Sequence, residues 1–193
     1  AQRIFAGIPF LFAIQQFAEG FVWLALTTPD PFITQRASTY AFLFFSDIFW
    51  PIMIPLSVYL LEQDSGRKKI LRIPLAMGIV LSLYYGCCLL LIPVSPVIVD
   101  CHIFYSGDFP KMFEIPAFLV YVTVTITPLL VSSVKRMRWL GLSMFLACVV
   151  TVIFYLQAVT SVWCFFAAVL SAMIYWILKA NRPEVPVAPG ASD

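Results

Sequence analysis

Six long runs of apolar residues dominate the chain, and short polar stretches separate them. The runs are A (Ile4–Thr27), B (Tyr40–Leu61), C (Ile73–Ile92), D (Ile115–Val134), E (Trp139–Leu156) and F (Val162–Leu178). About 20 consecutive apolar residues cross the hydrocarbon layer of a bilayer, roughly 30 Å thick, as an α-helix. A membrane β-barrel would instead alternate apolar and polar residues in strands of about 10 positions. The pattern therefore predicts an all-α, polytopic integral membrane bundle of six transmembrane helices.

The same pattern predicts one domain followed by a tail. Residues 1–180 hold all six runs and leave no insertion large enough for a soluble domain. Residues 181–193, NRPEVPVAPGASD, are polar and rich in proline, which is typical of a disordered segment. Run A starts close to residue 1, which is Ala rather than Met, so a preceding helix, giving seven in the native product, is a further expectation.

Composition agrees with a membrane protein and excludes other classes. The chain of 193 residues is 62% hydrophobic and 11% charged, and its mean hydropathy is +0.94. Soluble domains are about 45–50% apolar and about 25% charged. An ordinary cytosolic enzyme, a nucleic-acid binder and a disordered chain are therefore excluded, and the net charge of +2 gives no sign of a polyanionic partner. The predicted partner is the lipid bilayer.

The basic residues predict the orientation of the bundle. If successive helices alternate in direction, ten of the twelve Lys and Arg residues fall on one side. These are Arg3, Arg67, Lys68, Lys69, Arg72, Lys135, Arg136, Arg138, Lys179 and Arg182, whereas Arg36 and Lys111 fall on the other. Cytoplasmic loops are enriched in Lys and Arg. We therefore expect both termini of this chain to be cytoplasmic.

Two acids lie inside the apolar runs, Glu19 in run A and Asp47 in run B. Ionisable residues within a membrane are costly and usually functional. A rise of about 1.5 Å per residue puts both acids in the outer half of the bilayer at similar depth. Other polar groups reach the same level, so we predict one outward-facing pocket. Its predicted binding residues are Gln16, Glu19, Asp47, His102, Tyr84 and Tyr155.

Several interpretations of this pocket stay open. The acids are either neutral, hydrogen-bonded structural groups, or a proton or cation site that exchanges charge during transport. His102 with Cys101, Glu19 or Asp47 is a weak metal-site candidate, since these residue types bind zinc without a recognised spacing. A site for a lipid headgroup or a small molecule is the remaining interpretation. Cys101 is also a candidate for a disulfide on the oxidising side, with no pairing readable from the sequence.

Residue content limits the cofactors and enzyme classes. A bis-histidine haem needs two histidines, and the chain has only His102. A retinal Schiff base needs a lysine within a span, and every lysine lies outside the six runs. No nucleophile elbow, Walker loop or dinucleotide fingerprint occurs, so no catalytic residue is predicted. The cofactor, if there is one, is unknown.

Four stretches resemble an uncharacterised family of small bacterial multi-pass membrane proteins. They are IPFLFAIQQFAEGFVWLAL (Ile8–Leu26), FWPIMIPLSVYLLE (Phe49–Glu62), DCHIFY (Asp100–Tyr105) and SVWCFFAAVLS (Ser161–Ser171). The resemblance implies a bacterial inner-membrane location and places Gln16, Glu19 and His102 in family-like segments. Members of that family begin with one more hydrophobic segment. The resemblance brings no known activity.

The leading functional expectation is binding or transport of a small solute or cation, with Glu19 and Asp47 as charge sites and His102 at the mouth. The alternatives are an accessory subunit that packs against a larger membrane complex and a membrane-embedded metal-dependent enzyme. A cavity that reaches Glu19 would favour transport, and a dry bundle with a broad small-residue face would favour the subunit. A protein partner or a homo-oligomer is left open.

Overall fold

The computed structural model of the chain describes residues 2–29, 34–99, 101–155 and 158–180. Within these residues it contains α-helices, one π-helical turn and one β-hairpin. The elements are α1 (Gln2–Thr27), α2 (Gln35–Leu43), the π-helical turn (Phe44–Phe49), α3 (Trp50–Leu61), α4 (Ser65–Leu91), β1 (Ser95–Val99), β2 (His102–Ser106), α5 (Lys111–Val131), α6 (Lys135–Phe154), α7 (Val159–Ser171) and α8 (Met173–Ala180). The predicted tail at 181–193 lies outside the described residues.

Among the described residues, six helical stretches are long and apolar enough to cross a membrane, and each overlaps one of the predicted runs. The second stretch joins α2, the π-helical turn and α3, and the sixth joins α7 and α8. α4 begins at Ser65, before the apolar run, because the Asp64 carboxylate accepts the Arg67 backbone N–H at 2.7 Å and caps the helix. The prediction of six candidate spans is confirmed.

The β-hairpin corrects the expectation of an all-helical chain. β1 pairs with β2 in antiparallel register, from Ser95 opposite Ser106 to Val99 opposite His102. Both strands are rich in β-branched and aromatic residues, which favour extended backbone. Ile103 is fully buried, and the Tyr105 ring stacks on Phe42 with ring centroids 5.0 Å apart. The two strands, which lie between the third and fourth candidate spans, therefore pack against the helices.

A π-helical turn interrupts the second span beside Pro51. In a π-helix the N–H of residue 51 would bond the carbonyl of Ser46, but proline has no N–H to donate. The Tyr121 hydroxyl of α5 donates to that carbonyl at 2.6 Å, and the Ser82 hydroxyl of α4 donates to the Ile48 carbonyl at 2.7 Å. Neighbouring helices thus supply hydrogen bonds to the altered backbone.

Packing in the centre of the bundle depends on one aromatic pair and one glycine. Phe12 of α1 stacks on Trp50 of α3 with centroids 3.9 Å apart, and the Trp50 indole N–H donates to the Gln15 side-chain carbonyl. Gly78 of α4 lies against the backbone of α3. A Cβ at Gly78 would overlap the carbonyl oxygen of Pro51 and lie 2.9 Å from its carbonyl carbon. The absence of a side chain therefore allows the close approach of α3 and α4.

The two ends of the bundle differ in chemistry. One end, called the basic end below, carries the α3–α4 and α5–α6 loops and the Lys and Arg residues at the start of α4 and α6, and α1 begins and α8 ends there. Glu62 is buried at this end and joins the two loops. Its carboxylate accepts the Ser133 hydroxyl at 2.6 Å, the Ser133 N–H at 2.8 Å, and the N–H groups of Gln63 and Asp64 at 3.0 Å. The opposite end, which carries the β-hairpin, is called the hairpin end.

Candidate functional site

Two cavities open at the hairpin end, and a different acid from the candidate spans lines each. The Glu19 cavity has a volume of about 390 Å³. It lies between the second half of α1 and the first turns of α7, with one residue from the hairpin. Its lining residues are Gln16, Glu19, Gly20, Trp23, His102, Ser161, Val162 and Phe165. Glu19 is only 6% exposed, and its nearest polar neighbours are Ser161 and Gln16.

The Asp47 cavity lies on another side of α7 and has a volume of about 310 Å³. Its lining residues come from the π-helical turn, α4, the hairpin, α5 and α7. They are Leu43, Asp47, Tyr84, Tyr85, Val94, Ile103, Phe104, Tyr105, Phe109, Glu114, Ile115, Ala117, Phe118, Ala158, Val159 and Thr160. A smaller inner chamber of about 60 Å³ shares five of these residues and adds Ser46, Tyr121, Trp163 and Cys164.

The π-helical turn positions Asp47 toward the second cavity. The Ser46 hydroxyl donates to one Asp47 carboxylate oxygen at 2.8 Å and fixes that side chain. Ser46 in turn is held because its own carbonyl accepts the Tyr121 hydroxyl. Asp47 is half-buried and lines both the cavity and the inner chamber, so it lies where the two meet. π-helical turns occur frequently at functional sites because they re-aim one side chain.

The first turns of α7 separate the two cavities. Ser161 and Val162 line the Glu19 cavity, whereas Val159 and Thr160 line the Asp47 cavity. Tyr105 and Cys164 interact electrostatically with both carboxyl groups. Burial raises the pKa of the Tyr105 phenol far above its usual value, and the charges of Glu19, Cys164 and Asp47 raise it further. Tyr105 is therefore a neutral hydroxyl at physiological pH.

Several buried polar atoms around this partition have no hydrogen-bond partner within the described part of the protein. They are Nε2 of Gln15, Nε2 of Gln16, Oε1 of Glu19, the hydroxyl of Tyr105 and Nε1 of Trp163. Leaving a buried donor or acceptor unpaired costs about 1–3 kcal/mol. Such atoms in a folded protein usually bond to an ordered water or a ligand. The cluster therefore has unused capacity to bind a polar species.

The predicted site residues separate into two groups. Gln16, Glu19 and His102 line the Glu19 cavity, while Asp47 and Tyr84 line the other one. Tyr155 meets the His102 ring edge to face, with centroids 4.8 Å apart. The expectation of a single shared pocket is therefore replaced by two cavities with a common wall. The sequence predicted the depth of the acids along the helices but not the direction in which each one faces.

The metal and thiol candidates do not converge. Among the described residues, no group of three or more His, Cys, Asp or Glu side chains is placed to hold a metal ion. Glu19 and His102 share a cavity, whereas Asp47 lines another and Cys101 is exposed in the hairpin turn. The five cysteines of the chain are all described, and all are free thiols. The structure thus contains no disulfide between Cys101 and the other four.

Sequence reasoning missed three residues of the Asp47 cavity, namely Tyr85, Tyr105 and Glu114. Glu114 lies in the first turn of α5, one residue before predicted run D. Tyr105 belongs to β2, and the extended character of VIV and IFY on either side of a short turn was the available signal for the hairpin. Tyr85 adjoins Tyr84 in α4 and faces Asp47 closely enough to interact with its charge.

Comparison with known proteins leaves the function open. A family model described as "Family of unknown function (DUF6629)" matches residues 2–188. No curated protein and no solved structure matches the chain.

Proposed function

The chain belongs to this family of unknown function, and we propose that it is a multi-pass membrane protein that binds or transports a small solute or cation at its hairpin end. The observation that carries the proposal is the group of unpaired buried polar atoms around Glu19, Tyr105 and Trp163. Two cavities flank this group, and Glu19 lines one of them whereas Asp47 lines the other. The described lining residues of the Asp47 cavity include carboxylates but no basic side chain. This charge favours a cationic ligand in that cavity.

A membrane location is supported by the outer surface of the helices. Large apolar side chains such as Phe17, Leu90 and Phe154 point away from the bundle and are 72%, 87% and 72% exposed. Soluble proteins rarely expose contiguous apolar patches of the size that six such helices create. Lys and Arg residues gather at the basic end, which we infer to be cytoplasmic, so the hairpin end faces outward. We infer a bacterial inner membrane as the compartment.

The competing functions have less support in this geometry. An accessory subunit would not require a cavity of about 390 Å³ that reaches a buried Glu19. A metal-dependent enzyme would require ligands gathered around an ion, whereas the described His, Cys, Asp and Glu side chains are dispersed. Binding or transport would account for the two cavities, the acids that line them and the unpaired buried polar atoms.

The test measures ligand-dependent stability and flux with variants of the two acids. The full chain is purified in detergent, and its unfolding temperature is recorded with Na⁺, K⁺, Mg²⁺, choline, putrescine and glycine. We expect at least one of these to raise the unfolding temperature, because a ligand that binds only the folded state stabilises it. Flux of the same species is then followed in proteoliposomes.

The matched control is Asp108→Asn, because Asp108 is an exposed acid at the same end and lines neither cavity. The stabilising response should persist in Asp108→Asn and disappear in Glu19→Gln or Asp47→Asn. A response that neither Glu19→Gln nor Asp47→Asn changes would show that the acids are not binding groups. The absence of a response to every species would contradict the proposal.

A further inference from the structure

Six of the sixteen residues that line the Asp47 cavity are aromatic. They come from α4, the hairpin, the following loop and α5, and are Tyr84, Tyr85, Phe104, Tyr105, Phe109 and Phe118. The faces of aromatic rings carry negative electrostatic potential and attract cations, especially cations that have lost their water. Quaternary and alkylated ammonium ions are recognised by such groups of rings. The wall therefore fits an organic cation better than a strongly hydrated inorganic one.

Two carboxylates lie at different depths of this cavity. Asp47 lies where the cavity meets the inner chamber, and Glu114 is exposed in the first turn of α5. Tyr85 lines the same cavity and interacts electrostatically with both carboxylates. A cation that enters past Glu114 thus reaches Asp47 along aromatic side chains. Asp47 supplies the counter-charge, and Glu114 attracts the cation to the mouth.

The lining of the Asp47 cavity also disfavours a ligand that carries a negative group in addition to its positive charge. Among the described lining residues there is no lysine, arginine or histidine. A ligand carboxylate or phosphate would therefore lose water without gaining a partner, which is costly in a site of this kind. The volume of about 310 Å³ is at the lower end of the range, about 300–1,000 Å³, that is usual for small-molecule sites. These features together favour a small ligand with positive charge only.

The inner chamber provides room for water next to the ligand. Its volume of about 60 Å³ is enough for at least one water molecule. Trp163 lines this chamber, is 6% exposed, and has an indole N–H with no acceptor within the described residues. A water in the chamber would accept this N–H. The unpaired donor is an indication of a bound species that is independent of the two acids.

We propose that the Asp47 cavity binds a small organic ammonium ion, with Asp47 as its counter-charge and the tyrosine and phenylalanine rings as its wall. This inference rests on the proposed function and gives it a ligand class. Tyr85 contacts both the cavity and the inner chamber and is the central ring of the site. The Glu19 cavity is not part of it.

The test compares three probes that separate charge from shape. Tetramethylammonium has both the charge and the shape, K⁺ has the charge alone, and tert-butyl alcohol has a similar shape without charge. Each is titrated by calorimetry into the full chain in an uncharged detergent, with sodium chloride keeping the ionic strength constant. We expect tetramethylammonium to bind at least about tenfold more tightly than K⁺ or tert-butyl alcohol.

Variants assign the binding to the residues. Asp47→Asn should weaken tetramethylammonium binding by about tenfold or more, and Glu114→Gln, at an exposed position, by about threefold. Tyr85→Leu removes the ring and should weaken binding by about tenfold, and Tyr85→Phe, which keeps the ring, should weaken binding less than Tyr85→Leu does. Asp108→Asn is the control and should bind normally. Glu114→Gln and the Tyr85 pair keep the test valid if Asp47→Asn fails to fold.

Equal affinity for all three probes, or full affinity in folded Asp47→Asn, would overturn the inference. So would a loss in Glu19→Gln as large as that in Asp47→Asn, because the ligand would then lie in the other cavity. If tetramethylammonium does not bind but an inorganic cation still stabilises the protein in a manner that requires Asp47, the proposed function stands without this ligand class. If no species in either experiment has an effect, both proposals fail.

Discussion

Glu62 is expected to be among the most important single side chains for the stability of the basic end. It is 2% exposed, and its carboxylate accepts four hydrogen bonds, of which the two from Ser133 join the α3–α4 loop to the α5–α6 loop. Glu62→Gln is the informative change because it keeps the size and removes the charge. One carboxylate oxygen becomes an NH₂ group that faces the Ser133 N–H, so a bond is replaced by two opposed donors.

The expected cost of Glu62→Gln follows from these bonds. Hydrogen bonds to a charged group contribute about 1.5–3 kcal/mol each, and neutral ones about 0.5–1.5 kcal/mol. The variant loses the bond from the Ser133 N–H and weakens the other three by removing their charge. Because the loops can relax, we expect a loss of about 2–4 kcal/mol in the free energy of unfolding. Asp64→Asn is the matched control, since asparagine caps a helix as well as aspartate does, and its cost should be below about 0.5 kcal/mol.

The pH dependence provides an independent check on the charge. Burial alone raises the pKa of Glu62, but the Ser133 hydroxyl and the backbone N–H groups of Ser133, Asp64 and Gln63 outweigh it, and the pKa is lowered overall. A lowered pKa in the folded state means that the stabilisation is complete above the unfolded-state pKa, about 4.3. It is lost as pH falls through the folded-state value. The difference between wild type and Glu62→Gln should therefore shrink in acid.

The assay is thermal unfolding in detergent between neutral and acid pH, followed by the reaction of a thiol dye with the buried cysteines Cys148 and Cys164. These thiols become accessible only when the bundle opens. Equal stability of wild type and Glu62→Gln at neutral pH would refute the reasoning. A stability difference that stays constant as pH falls would also refute it, since the loss would then have a cause other than charge.

The remaining predictions concern backbone contacts and orientation. Gly78→Ala should destabilise the protein by about 1–3 kcal/mol or more in thermal unfolding, because its Cβ overlaps a carbonyl of α3. Gly86→Ala, whose Cβ would make only ordinary contact at 3.7 Å, should be tolerated, and equal effects of the two would contradict this reading. Tyr121→Phe should cost about 1–3 kcal/mol, because the Ser46 carbonyl loses its donor, and an unchanged unfolding temperature would argue against that role. In intact cells a membrane-impermeant maleimide should label exposed Cys101, and labelling only after permeabilisation would reverse the proposed orientation.

The spans were predictable because their signal is local. A run of about 20 apolar residues is visible in the sequence alone, and it specifies a helix that needs no partner to satisfy its backbone in lipid. The π-helical turn could not be predicted in the same way. Pro51 indicates a break in hydrogen bonding, but the donors to the affected carbonyls, Tyr121 and Ser82, lie 75 and 34 residues away from their acceptors. Such pairings exist only once the helices have packed.

The candidate site shows a similar limit. The number of residues along a helix gives the depth of Glu19 and Asp47, because each residue adds about 1.5 Å. Spacing within α1 also predicts that Gln16 and Glu19 share a face, and they do line one cavity. The rotation of one helix relative to another is set by packing, for example by Phe12 against Trp50. Local spacing therefore could not predict that the acids line different cavities.

The hairpin connects the two cavities more directly than any helix does. Consecutive residues of β2 contribute to both, with His102 in the Glu19 cavity and Ile103, Phe104 and Tyr105 in the Asp47 cavity. Ile103 is fully buried, so a displacement of this strand would change both cavities at once. Tyr105 of the same strand interacts electrostatically with both acids. Binding in the two cavities should therefore be coupled through β2, although each cavity has its own acid and its own opening.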